Sequence, residues 1–254
     1  VMENDELFGI GNNNEYLSVR FGLFAAEDIT AADGTVIPAD GLLSEVSLAE
    51  NMTAKFDVQI PFGRYYVQEI ATDEHYVLNG EKYLVNFEYM GQDIRTADID
   101  CGQFVNLLKR GRIEGHKTDD KSEPLENALF GLFRTDCTEF TESNAIMTAI
   151  SDEKGYFEFG NIPYGEYVVR EIKAPTGYIL SDESYPVSIS EDGEVIEITA
   201  ENKPITVKIS KRDIYGNELK GAKMQIIDSE GNIVDEWTCL LYTSDAADDL
   251  IGVD

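Results

Sequence analysis

Lys117, Glu171 and Asn202 are an amine, a carboxyl and a carboxamide that fall where apolar side chains are expected. A strand sends residues i, i+2 and i+4 to one face, so face membership follows from counting. Lys117 shares its face with Ile113 and Gly115, and Glu171 shares its face with Tyr167 and Val169, whereas Arg170 points the other way. Asn202 continues the stripe of Ile196, Ile198 and Ala200, and Lys211 continues that of Ile205, Val207 and Ile209. An isolated charge in a core costs several kcal/mol, so these groups are expected to meet one another rather than stand alone.

Other candidates for chemistry are weaker. His75 and His116 lie far apart, and the three cysteines, Cys101, Cys137 and Cys239, are too few and too scattered for a disulfide framework or a zinc site. No Asp-x-Asp-x-Asp-Gly calcium loop occurs. Neither a metal centre nor a cofactor is expected.

The elements that position the three groups are set by a repeat of about one hundred residues. Leu125-Glu-Asn-Ala-Leu-Phe-Gly-Leu-Phe133 aligns with Leu219-Lys-Gly-Ala-Lys-Met-Gln-Ile-Ile227, and the same offset carries Lys117 onto Lys211. Arg20-Phe-Gly-Leu-Phe24 mirrors Leu129-Phe-Gly-Leu-Phe133. Ile60-Pro-Phe-Gly-Arg-Tyr-Tyr-Val-Gln-Glu-Ile70 mirrors Ile162-Pro-Tyr-Gly-Glu-Tyr-Val-Val-Arg-Glu-Ile172. Three units follow: 1–108, whose start is expected to be missing; 109–203, complete; and 204–238, a start only. Their joints at Lys109-Arg-Gly111 and Lys203-Pro204 are short, which suggests a stiff end-to-end stack.

Within each unit, apolar residues alternate with polar ones over short runs, as in Val195-Ile-Glu-Ile-Thr-Ala200. Turn signals separate the runs at Asp33-Gly34, Asn79-Gly80, Lys154-Gly155, Asp192-Gly193 and Glu230-Gly231. No segment holds a helical period over three turns. The expected fold is all-β, a tandem of β-sandwiches. Residues 239–254 abandon the alternation and resemble translated adaptor read-through at the end of a metagenomic gene fragment; a non-native tail is expected there.

Composition narrows the function. Forty-nine acidic against twenty basic residues give a net charge of -29. Such a surface repels phosphates and anionic lipid, which argues against a nucleic-acid partner. No apolar run approaches the roughly 18 residues that cross a bilayer. The first residues, Val-Met-Glu-Asn-Asp-Glu, show no signal peptide, and no Leu-Pro-x-Thr-Gly sorting signal is present. Tyr185-Pro186 is followed by Val187, not by the lysine of a pilin crosslinking motif.

Tyr167-Val-Val-Arg-Glu-Ile-Lys-Ala-Pro-Thr-Gly-Tyr178 resembles the E-box of Gram-positive pilins, Tyr-x-Leu-x-Glu-Thr-x-Ala-Pro-x-Gly-Tyr, with departures at Val169 and Ile172. With the Lys117-x-Asp119 of the first strand and the closing Glu201-Asn-Lys-Pro204, residues 109–203 resemble a CnaB-type (SpaA-like, prealbumin-like) domain of cell-wall adhesins and pilins. The likeness is looser in the first unit, where Thr72-Asp73-Glu74-His75 replaces Ala-Pro-x-Gly.

The resemblance implies a spontaneous isopeptide bond between Lys117 and Asn202, assisted by Glu171 as acid. It implies Glu69 and Asn106 as the equivalents in the first unit, whose lysine should precede or coincide with residues 1–2, and Lys211 in the third, whose partners lie beyond the cut. Burial lowers an amine's pKa by up to about 3–5 units and raises a carboxyl's, which turns an inert pair into nucleophile and proton donor. Apolar neighbours such as Tyr167 and Phe130 would strengthen that donation by excluding water.

The function implied is a structural stalk on the surface of a Gram-positive cell, with single-turnover self-crosslinking and no enzymatic turnover. Its partners would be neighbouring domains of the same protein and, as candidates, host extracellular matrix or glycans. A rival is an adhesive module for collagen or glycan using Tyr65, Tyr66 and Tyr76, although alternating tyrosines also suit cross-strand packing. A glycoside hydrolase with paired carboxylates is a distant third, because small repeated domains leave no room for a deep cleft.

Overall fold

A computed structural model describes residues 1–89, 91, 98–207, 209–227, 229 and 231–239. Its regular secondary structure is almost wholly β-strand, with a single 3-10 turn at Glu15–Ser18 among the described residues.

The first unit contains β1 (Arg20–Ala25), β2 (Ile29–Thr30), β3 (Val36–Ile37), β4 (Leu42–Ser47), β5 (Gly63–Ala71) and β6 (Tyr83–Phe87). Four of them form an antiparallel sheet in the order β4-β1-β5-β6. Its inner face holds Phe21, Leu23, Tyr65, Val67 and Val85, against which Ala54, Phe56, Ile60, Cys101 and Phe104 pack. Among the described residues that opposing layer has no complete ladder. Met2 bridges Asn106 in parallel sense, and no longer pairing extends from it.

The middle unit contains β7 (Arg110–Asp119), β8 (Leu129–Arg134), β9 (Met147–Ile150), β10 (Tyr156–Pro163), β11 (Gly165–Lys173), β12 (Ser184–Ile189) and β13 (Val195–Asn202). They make two sheets, β10-β7-β13 and β12-β11-β8-β9. Ile113, Phe157 and Phe159 from the first face Phe130, Leu132, Tyr167, Val169 and Ile189 from the second. Strict alternation along β11 and β7 explains the layering, since one face of each is buried and the other is not. The first and last strands of the unit, β7 and β13, lie side by side and parallel.

The repeated Phe-Gly-Leu-Phe has a packing cause. A Cβ on Gly22 would stand 2.5 Å from the Phe24 ring, and one on Gly131 would stand 2.6 Å from the Phe133 ring. In both units the glycine leaves room for the aromatic ring two residues on, which folds back over it.

In the third unit β14 (Lys223–Ile227) and β15 (Ile233–Thr238) form a hairpin. Here one expectation fails. Ile205, Val207 and Ile209 are 43–48% exposed, and no strand is formed by the described part of 205–211. The described residues of this unit supply no second layer that could cover these side chains. The proposed non-native tail, apart from Cys239, lies outside the described residues.

Candidate functional site

Lys117 enters the core from β7 and is fully buried. Its Nζ donates to the carbonyl oxygens of Ala200 (3.2 Å) and Thr118 (3.3 Å). Burial depresses its pKa to about 8, against the opposing pull of the Glu171 and Glu201 carboxylates. Much more of the amine is therefore neutral near physiological pH than for a lysine in water.

Glu171 comes from β11 and Asn202 from the last position of β13, and both are buried. Asn202 Nδ2 donates to Glu171 Oε1 at 2.9 Å, while the other carboxyl oxygen accepts the Ser181 backbone N–H at 2.8 Å. Asn202 Oδ1 is buried and has no hydrogen-bond partner among the described residues. An orphan acceptor in a core costs about 1–3 kcal/mol, so this oxygen awaits a donor.

The surroundings are apolar and tightly packed. Phe130 pairs with Glu171 across the β8–β11 ladder and stacks on Phe157, with centroids 3.9 Å apart and planes 9° from parallel. A Cβ on Gly115 would stand 2.1 Å from the Phe157 ring, so only glycine lets that ring lie across β7 two residues from Lys117. Tyr167 anchors the start of β11 by donating its hydroxyl to Pro163 O at 3.0 Å.

The first unit repeats the acid and the carboxamide. Asn106 Nδ2 donates to both Glu69 oxygens, at 2.7 and 2.8 Å, and both residues are buried. Burial raises the Glu69 pKa; the Asn79 N–H, the Asn106 amide and the Val1 ammonium pull the other way. Tyr65 donates to Pro61 O at 2.6 Å, as Tyr167 does to Pro163. Asn79 N–H reaches Glu69 at 2.7 Å, ten residues on, as Ser181 reaches Glu171. Those two backbone donors escaped the sequence reading, although both stand ten residues after the glutamate.

Asp119 pairs with Asn202, and Met2 pairs with Asn106. Counting back two residues, as from Asp119 to Lys117, leads in the first unit to the position just before Val1. Lys211 of the third unit is exposed, in contrast to the buried Lys117. Tyr65, Tyr66 and Tyr76 are core residues and present no adhesive surface. Cys101, Cys137 and Cys239 are all free thiols.

Two facing β-sheets closed by parallel first and last strands define a prealbumin-like sandwich. Residues 111–204 match the SpaA family, described as a prealbumin-like fold domain. The chain is 30% identical over 134 residues to the trypsin-resistant surface T6 protein of Streptococcus pyogenes serotype M6, a match covering 49% of this chain and 24% of that protein. It is 24% identical over 173 residues to the collagen adhesin of Staphylococcus aureus, covering 60% of this chain and 14% of the relative. The chain thus spans a quarter or less of these relatives' lengths. Among solved structures it shares its fold with the Bacillus anthracis TIE protein, at TM-score 0.59 and 23% identity, over 90% of this chain and 40% of that one.

Proposed function

We propose that this chain is a stalk segment of a Gram-positive cell-surface adhesin or pilin-like protein, stiffened by an isopeptide bond between Lys117 and Asn202. The observation that carries this reading is the burial of Lys117, Glu171 and Asn202 in one core, with Asn202 Oδ1 unpartnered.

In the reaction, the Lys117 Nζ lone pair attacks Asn202 Cγ. A half-turn of the carboxamide exchanges Nδ2 for Oδ1 opposite Glu171, and a protonated Glu171 favours that orientation because it can then donate to the orphan oxygen. The donation polarises Cγ and stabilises the developing oxyanion. Glu171 then accepts a proton from the attacking nitrogen and passes one to Nδ2, which leaves as ammonia. One C–N bond forms and one breaks, with no oxidant or cofactor. The link closes the interval from 117 to 202 and, by analogy with disulfide loop closure, adds about 4–5 kcal/mol of stability.

The chemistry occurs once per molecule, and the role that follows is structural. Its placement on a cell surface rests on the T6 protein and the collagen adhesin as relatives. Mass spectrometry of the purified chain tests the bond directly: the mass should fall short of the sequence by one ammonia, and a digest should yield a branched peptide joining Lys117 to Asn202. Full mass in folded protein removes the crosslink and leaves only the surface-stalk reading.

A further inference from the structure

The first unit carries an excursion that the middle unit lacks. Seventeen residues, 3–19, separate Met2 from β1, whereas nine, 120–128, separate β7 from β8. The third unit resembles the middle one here, since Lys211 to Ala222 spans the same interval as Lys117 to Ala128. Of its buried apolar residues only Val19, at its end, joins the first unit's own core. Phe8 and Ile10 are buried in the hydrophobic cluster of the middle unit, together with Tyr76 and Leu108. Phe8 meets Tyr167 edge to face, with centroids 5.6 Å apart.

Polar contacts cross the joint beside this plug. Arg110, the first residue of β7, forks between two carboxylates of the excursion: Nη2 meets Glu3 Oε1 at 2.8 Å and Nη1 meets Asp5 Oδ2 at 2.9 Å. Its side chain is 19% exposed, so solvent screens these pairs less than surface pairs. Glu3 is tied further, because Oε2 accepts the Leu108 N–H at 2.9 Å and its carbonyl accepts the Tyr76 hydroxyl at 2.8 Å. From the far side, Arg134 donates to Leu7 O at 3.2 Å.

The excursion is also stiff in itself. Asp5 and Ile10 exchange backbone hydrogen bonds of 2.9 and 3.0 Å, which closes a small hairpin with Phe8 at its bend. The bend needs Gly9 and Gly11, at φ 72° and 96°. The buried Glu15 carboxylate then gathers the N–H groups of Gly11 and Asn13.

We infer that residues 3–18 are a brace across the joint, which locks units 1–108 and 109–203 into one rigid body. Short linkers alone leave domains free to swivel unless their interface is large and apolar. Here an apolar plug and a forked ion pair, fixed in a preformed hairpin, remove that freedom.

Nitrogen-15 relaxation of backbone amides in the whole chain tests the brace. Amides of the two units should report one shared rotational correlation time. In Phe8→Ala/Arg110→Gln the shared value should be lost, each unit tumbling with its own shorter time while amide dispersion shows both still folded. Should that variant unfold, Glu3→Gln/Asp5→Asn removes only the two charges from the same shapes and should shift the units' values apart in the same sense. Two distinct correlation times in the unmodified chain would overturn the inference, as would a common value retained in every folded variant.

Discussion

Lys117 and Asn202 stand two rungs apart on adjacent parallel strands: Lys117 pairs with Ala200, and Asn202 pairs with Asp119. Two residues of strand cover roughly 6.6 Å, about the reach of an extended lysine side chain. In a parallel pair the partners also point to the same face. The offset therefore lets Lys117 lie along the strand direction toward Asn202, where a directly paired lysine would overshoot it.

Removal of the acid tests whether this geometry suffices. Glu171→Gln keeps the size of the side chain and a hydrogen-bonding group opposite Asn202, but it cannot shuttle a proton. The variant should fold and retain its full mass. It should also unfold at lower denaturant than the crosslinked chain, by the roughly 4–5 kcal/mol of loop closure. Asn202→Ala should likewise keep full mass, because the electrophile is gone.

A pH series on an uncrosslinked variant reads the lysine itself. The folded pKa of Lys117 is depressed from 10.5 to about 8, so the unfolded chain binds the extra proton between those values. Stability should thus climb as pH rises from 8 to 10.5 and level off above, by about 3 kcal/mol in all. Asn202→Ala, unfolded in urea across that range, should show this slope. A flat profile would mean the amine reaches water.

The first unit offers a test by addition. Glu69 and Asn106 are already in contact, and the register puts the position equivalent to Lys117 immediately before Val1. A chain extended at this end, with lysine directly preceding Val1 behind a few strand-forming residues, should lose two ammonia molecules where the original loses one. Alanine at the added position should return the loss to one.

Gly115→Ala probes the packing around the amine. The new methyl would meet the Phe157 ring, which is itself held against Phe130. Overpacking of this kind costs about 1–3 kcal/mol. Thermal unfolding of the variant should begin lower, and crosslink formation should slow as the ring shifts toward Lys117.

Much of this was legible in the chain because strand faces follow from parity. Ile113, Lys117, Glu171 and Asn202 all point inward as counting required. The equivalence of Glu69 and Glu171 followed from the repeated Ile-Pro-aromatic-Gly segments. Parity failed where burial depends on a second layer, at Ile205, Val207 and Ile209. It was also blind to the excursion at residues 3–18. Phe8 and Ile10 form no long stripe, and Arg110 meets Glu3 and Asp5 across a separation of more than one hundred residues, which no local pattern encodes.

The parallel pairing of β7 and β13 also decides how the middle unit answers a pull. The chain enters at the Arg110 end of the pair and leaves at the Asn202 end, so tension slides the two strands past each other. Their eight paired positions resist together, whereas a hairpin would open one rung at a time. Were Lys117 joined to Asn202, residues 118–201 would fall outside the loaded path altogether. Fully drawn out, that interval would lengthen the tether by roughly 280 Å, slack that the proposed bond would keep permanently stored.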